Sequence, residues 1–180
     1  MLELKDATLT VGGRQLFSKL SLMAQDGQLT CITGESGAGK TAMIRVMLGF
    51  QALDEGLVSI DGELLTPLSA PTFRRMMAYV PQKREVKLQP MVPDTEGLET
   101  VWSPYSGRRY QLTPIDEHLD VPPMGSKQIV IADDPDYSML GTLKALANGG
   151  HTVIVASQRE EFLHISDKVI RLGNHDAILS

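Results

Sequence analysis

Residues 34–41 read GESGAGKT. Gly34, four residues, then Gly39-Lys40-Thr41 satisfies each fixed position of the G-x-x-x-x-G-K-[ST] pattern. The chemistry needs these types at this spacing. Gly34, Glu35, Ser36, Gly37, Ala38 and Gly39 form a loop whose glycines let the backbone curl. Successive N–H groups then converge on phosphate oxygens. Lys40 is expected to reach the β- and γ-phosphates, and the Thr41 hydroxyl to ligate Mg2+. The competing reading is a chance match in a glycine-containing turn. The flanks decide against it. Residues 28–33 (QLTCIT) suit a buried strand entering the loop. Residues 40–48 (KTAMIRVML) repeat apolar side chains at helical spacing, and Gly49 is placed to end that helix. A strand, a glycine loop and a helix N-terminus together make an anion site.

Further along, acids and amides stand at the ends of apolar runs. Asp133 follows QIVIA (128–132), and a carboxylate there would hold Mg2+ directly or through water. Its bland reading is an acid that opens a turn. Asp134 comes next. Gln82 ends AYVPQ, and Gln158 ends TVIVASQ. Gln82 is a candidate ligand to metal or water, against the plain reading of a polar loop residue after proline.

The elements that must position these groups follow from pattern. Residues 2–10 and 15–24 read as two antiparallel strands around Gly12-Gly13, and 56–65 as a strand pair turning at Asp61-Gly62. Pro71 suits the first turn of a short helix over 71–75, and 77–80 is a short apolar strand. QIVIA and TVIVAS (152–157) are the unbroken apolar runs of buried parallel strands, separated by a helix over 137–147. A short helix over 159–164 and a last strand, DKVIRL (167–172), close the order. Strands alternating with helices argue for an α/β fold with a mainly parallel sheet. Prolines at 90, 93, 104, 114, 122 and 123 forbid a long helix through 83–127. That stretch reads as loop plus one short helix near Thr113-Pro114.

Composition narrows the function classes. The chain has 180 residues, is 42% hydrophobic and 22% charged, and carries a net charge of −5. That size supports a real core, and that charge argues against a nucleic-acid surface. Arg74-Arg75 and Arg108-Arg109 read as solvated pairs. Cys31, the single cysteine, excludes an internal disulfide and reads as strand packing. The opening MLELKDATLT does not look like a signal peptide, and no apolar run approaches membrane-span length. A cytoplasmic chain is expected, with no direct membrane insertion.

With these residues in hand, the chain resembles the ATP-binding subunit of an ABC transporter. GESGAGKT resembles Walker A, AYVPQ the Q-loop, QIVIADDP Walker B with the acid after it, and TVIVASQ the switch strand. The likeness covers residues up to 82 and again from 128 to about 172. It implies a single domain over 1–180, with a P-loop core, an N-terminal antiparallel β-subdomain and ATP with Mg2+ as ligands. It also implies a partner, either a membrane permease or a complete ABC ATPase homologue, and peripheral membrane association through it.

The departures matter as much. No LSGGQ signature is present; Ser106-Gly107-Arg108-Arg109 leads into no proline-free helix, and Gly125-Ser126-Lys127-Gln128 abuts the Walker B strand. Residues 83–127 stand as a shortened replacement of the helical subdomain. Asp134 occupies the family's glutamate position, for which the resemblance implies general-base work; it is one methylene shorter, and that work depends on reach. Gln158 occupies the switch histidine position; it can hydrogen-bond a γ-phosphate but carries no proton. Val11 stands where the family's adenine-stacking aromatic is expected and offers no π-face. The resemblance therefore implies Mg-ATP binding with weak or partner-dependent hydrolysis. Two alternatives stand beside it: a non-catalytic scaffold, and a regulatory subunit of a larger assembly. A P-loop kinase would need an acceptor site and a lid, and neither is visible.

Overall fold

The structure is a computed structural model that describes residues 1–82, 100–102, 109–111, 128–173 and 178–179. Strands β1 (Leu2–Val11) and β2 (Arg14–Ala24) pair antiparallel across the Gly12-Gly13 turn. β4 (Glu55–Ile60) lies on the other side of β1 and carries β5 (Glu63–Leu64) at its edge. The sheet order is β2-β1-β4-β5, the expected N-terminal antiparallel unit.

The second sheet has six strands in the order β12-β11-β3-β10-β9-β6. β3 (Leu29–Gly34), β6 (Met77–Val80), β9 (Ile129–Asp133), β10 (Thr152–Ala156) and β11 (Lys168–Leu172) run parallel. β12 (Ile178–Leu179) pairs antiparallel to β11, so DKVIRL is not the last strand. A two-residue strand at a sheet edge leaves too short an alternation to read from sequence.

Helices cover both faces of this sheet, which explains the apolar runs. Side chains alternate along each strand. Ile32, Ile129, Ile131, Ile154 and Ile170 face α1 (Lys40–Met47) and the antiparallel sheet, packing on Met43, Ile44 and Met47. Leu29, Cys31, Val130, Val153 and Val155 face the other way, onto Leu143 and Leu146 of α3 (Leu140–Asn148) and Phe162 of α4 (Glu160–Ile165). A 3-10 turn over Tyr137–Met139 leads into α3. Cys31 is fully buried, and burial pushes its thiol up to about 11, so it behaves as packing.

Two expectations need correction. Within 83–127, β7 (Thr100–Trp102) and β8 (Arg109–Gln111) form a two-stranded antiparallel sheet where loop was expected. Val101, Trp102 and Tyr110 are strand formers, a signal that the surrounding prolines outweighed in the sequence. The helix start at Thr113-Pro114 lies outside the described residues. Arg74, at the end of α2 (Ala70–Arg74), is not a solvated charge. Its guanidinium sits 4.8 Å from the Phe50 ring centroid and donates to the Leu48 carbonyl at 3.2 Å. It thereby closes the C-terminal end of α1. Among the described residues, no helix is long and apolar enough to cross a membrane.

Candidate functional site

Register brings the candidate residues to one edge. Ala156 lies opposite Ile32 on one side and Asp133 on the other, while Val80 lies opposite Ala132. The parallel strands β3, β10, β9 and β6 therefore end together. Their C-terminal extensions (Gly34, Ser157-Gln158, Asp133-Asp134 and Gln82) surround a common cleft. Open α/β sheets place ligands at this edge.

The loop between β3 and α1 is fixed by sterics. Gly34 has φ 154°, and a Cβ there would stand 2.6 Å from the Leu172 carbonyl oxygen. Gly39 caps α1 at φ 97°, and a Cβ would press against Leu16 at 3.1 Å. No other residue type fits either position without strain. α1 carries no acidic residue in its first turn and no side-chain cap. Its first N–H groups and positive dipole end are left facing the cleft.

Lys40 is folded back on the loop. Its Nζ donates to the Gly34 carbonyl at 2.6 Å and to that of Glu35 at 2.9 Å. Partial burial lowers its pKa, opposed by the negative charges of Asp133 and Asp134. Asp133 is 4% exposed. Burial raises its pKa, a hydrogen bond from Thr41 opposes that shift, and the charge of Asp134 adds to it. A buried carboxylate held by a threonine hydroxyl beside a lysine suits a bound cation, which would relieve the desolvation. Among the described residues no cluster of three or more His, Cys, Asp or Glu could hold a metal. A divalent ion here would thus complete its oxygen shell from phosphate and water, the habit of Mg2+.

The opposite wall is cross-tied by side chains. Asp134 takes φ 45°, a left-handed conformation that aspartate tolerates better than most residues. Its Oδ1 accepts from the Ser157 hydroxyl at 3.2 Å, and its Oδ2 from Gln82 Nε2 at 3.4 Å. Arg159 Nε lies 3.8 Å from the same carboxylate. Gln158 Nε2 donates to the Gly34 carbonyl, so the switch-position side chain and Lys40 share one acceptor.

The cleft has a volume of about 560 Å³, within the ~300–1,000 Å³ span of small-molecule sites. Its lining joins Ser36, Gly37, Gly39, Lys40 and Thr41 to Gln82, Asp133, Asp134 and Gln158. Leu16 supplies an apolar wall; Val11 is 44% exposed at the end of β1 and does not line the cleft. Sequence reasoning missed Leu16, Ser157 and Arg159. Ser157 and Arg159 flank Gln158 in the chain, and that adjacency was the available signal. Leu16 carries none, because its place depends on how β2 crosses the loop.

A sequence model of the ABC transporter family matches residues 17–141. The chain belongs to the ABC transporter family. Within it, the chain is 36% identical over 84 residues to the Fe(3+) ions import ATP-binding protein FbpC 2 of Pectobacterium atrosepticum, a match covering 46% of this chain and 24% of that protein. It is 30% identical over 122 residues to the intermembrane phospholipid transport system ATP-binding protein MlaF of Escherichia coli, covering 68% of this chain and 41% of the relative. The matches thus span less than half the length of either relative. Among solved structures, a dimeric ATP-binding cassette in a post-hydrolysis state with ADP and phosphate superposes with a TM-score of 0.66 at 17% identity, covering 99% of this chain and 98% of that one. A nucleotide-free cassette from an ABC transporter gives a TM-score of 0.67 at 16% identity over 99% of this chain and 89% of the other. These two share the fold of this ABC chain: a P-loop α/β core with its antiparallel unit.

Proposed function

We propose that this ABC chain binds Mg-ATP in the cleft and hydrolyses it slowly, or only when a partner subunit completes the site. The observation that carries the reading is the meeting of Lys40 with the Thr41–Asp133 pair beneath the glycine loop. The loop amides and Lys40 would take the phosphates, and Thr41 and Asp133, with Gln82 beside them, would hold Mg2+. A metal held there would supply charge neutralisation to the phosphates. Asp134 and Gln158 are assigned to the attacking water and the γ-phosphate. Asp134 is short for a general base and already shared among Ser157, Gln82 and Arg159. Water positioning is thus the weak part, and phosphoryl transfer depends mainly on positioning.

Residues 1–180 act as one nucleotide-binding domain on this reading, with 83–127 in place of a helical subdomain. The relatives named as import and transport ATP-binding proteins favour a membrane permease or a complete ABC ATPase as partner, and a cytoplasmic place beside the membrane. A pure scaffold is disfavoured by Lys40, a partly buried ammonium lining the cleft, which a purely structural role would not need.

Calorimetric titration with Mg-ATP tests the reading, with Lys40→Ala as control. Binding by the wild type that disappears in the variant is the expected result. No binding by the wild type would leave the scaffold reading.

A further inference from the structure

Arg159 was not among the residues the loop pattern points to, yet it lines the cleft together with Lys40, Asp133 and Asp134. Its backbone is anchored. Its N–H donates to the Ser157 hydroxyl at 3.2 Å, and its carbonyl accepts from Phe162 at 3.2 Å and Leu163 at 3.4 Å, at the start of α4. Its side chain is loosely held. The Nε–Oδ1 distance to Asp134 is 3.8 Å, with the two side chains 44% and 36% exposed. An ion pair of that kind is weak and readily exchanged.

A triphosphate would change the balance on this wall. Lys40 answers phosphate charge from the loop side. Among the described residues the far wall offers two carboxylates, Asp133 and Asp134, and one cation, Arg159. A nucleotide whose third phosphate reaches toward Asp133 and Asp134 brings net negative charge beside them, even with its metal ion. Arginine is suited to the exchange, because its planar fork takes two phosphate oxygens and binds them more strongly than a solvated carboxylate.

We propose that Arg159 helps to distinguish ATP from ADP: it leaves Asp134 and takes an oxygen of the third phosphate when a triphosphate fills the cleft. The inference rests on the cleft binding ATP. The exchange leaves Asp134 Oδ1 to the Ser157 hydroxyl and Oδ2 to Gln82. ADP ends short of the far wall and leaves the Arg159–Asp134 pair in place.

The test is equilibrium binding of a non-hydrolysable Mg-ATP analogue and of Mg-ADP to wild type, Arg159→Ala and Arg159→Lys. Alanine keeps all three backbone hydrogen bonds, so the variant should fold; thermal melting confirms it. The expected result is a loss of about tenfold in affinity for the ATP analogue in Arg159→Ala, with ADP within about twofold of wild type. Lysine should restore part of the preference. Equal losses for both nucleotides would make Arg159 structural and overturn the proposal. Unchanged affinity for both would overturn it while leaving the ATP reading intact. Failure of the wild type to bind either nucleotide would overturn both.

Discussion

On one wall of the cleft, Lys40 and Thr41 stand at the start of α1, whose far side is sunk in the core through Met43, Ile44 and Met47. On the other wall, Asp134, Gln158 and Arg159 project beyond strand ends and meet each other or the loop through solvent-exposed side chains. The first wall owes its shape to backbone and core. The second owes it to exchangeable hydrogen bonds, those on Asp134 at 3.2 and 3.4 Å. Holding a nucleotide needs the first kind of construction. Aligning water for attack needs the second wall to be equally rigid, and it is not.

The largest expected effect breaks the rigid wall outright. Gly34→Ala drives a Cβ to 2.6 Å from a backbone carbonyl that cannot step aside. Overlap and backbone strain should cost about 2–4 kcal/mol in chemical denaturation and abolish nucleotide binding. Lys40→Ala separates folding from binding. Among the described residues its Nζ donates to the Gly34 and Glu35 carbonyls alone. Melting should move little, while Mg-ATP affinity falls about a hundredfold, the scale of a lost charge-assisted phosphate contact.

Changes on the second wall should act on rate rather than affinity. Asp134→Asn should leave Mg-ATP affinity within about threefold and lower residual phosphate release about tenfold. Asp134→Glu should raise release if reach limits the base. It should also lower stability slightly, because glutamate fits φ 45° less well than aspartate. A drop in release with glutamate would show that the short acid is not the limit.

The smallest expected effect is a control away from the cleft. Asp167 accepts from Leu29 N–H and from Lys144 Nζ, both at 2.8 Å, at the opposite end of β3 from the loop. These bonds, the Lys144 one first, hold its carboxyl below the usual 3.8. A depressed folded pKa contributes stability above the unfolded value and loses it as pH falls through the folded one. Wild type should therefore lose more stability than Asp167→Asn between neutrality and about pH 3, by less than ~1 kcal/mol because solvent screens the pair. Nucleotide affinity should not change.

The same contrast explains what was legible in the sequence. GESGAGKT, QIVIADD and TVIVASQ located the loop and the acids because local pattern dictates them: glycine for sterics, unbroken apolar runs for a doubly covered sheet. Side-chain cross-ties are set by tertiary register. The bonds of Gln158 to Gly34, and of Ser157, Gln82 and Arg159 to Asp134, join residues far apart in the chain or just past a motif. No spacing rule encodes them. Leu16 enters the cleft only because β2 crosses the loop. The strand pair at 100–102 and 109–111 was hidden for another reason: proline density argued correctly against a long helix but says nothing against short strands.

One measurement bears most directly on whether the site holds nucleotide more firmly than it reacts. The chain is loaded with Mg-ATP, separated from free nucleotide, and the ATP-to-ADP ratio of what stays bound is followed with time. A retained nucleotide that remains mostly ATP over many minutes is the predicted result. Complete conversion to ADP within seconds, or no nucleotide retained at all, would contradict it.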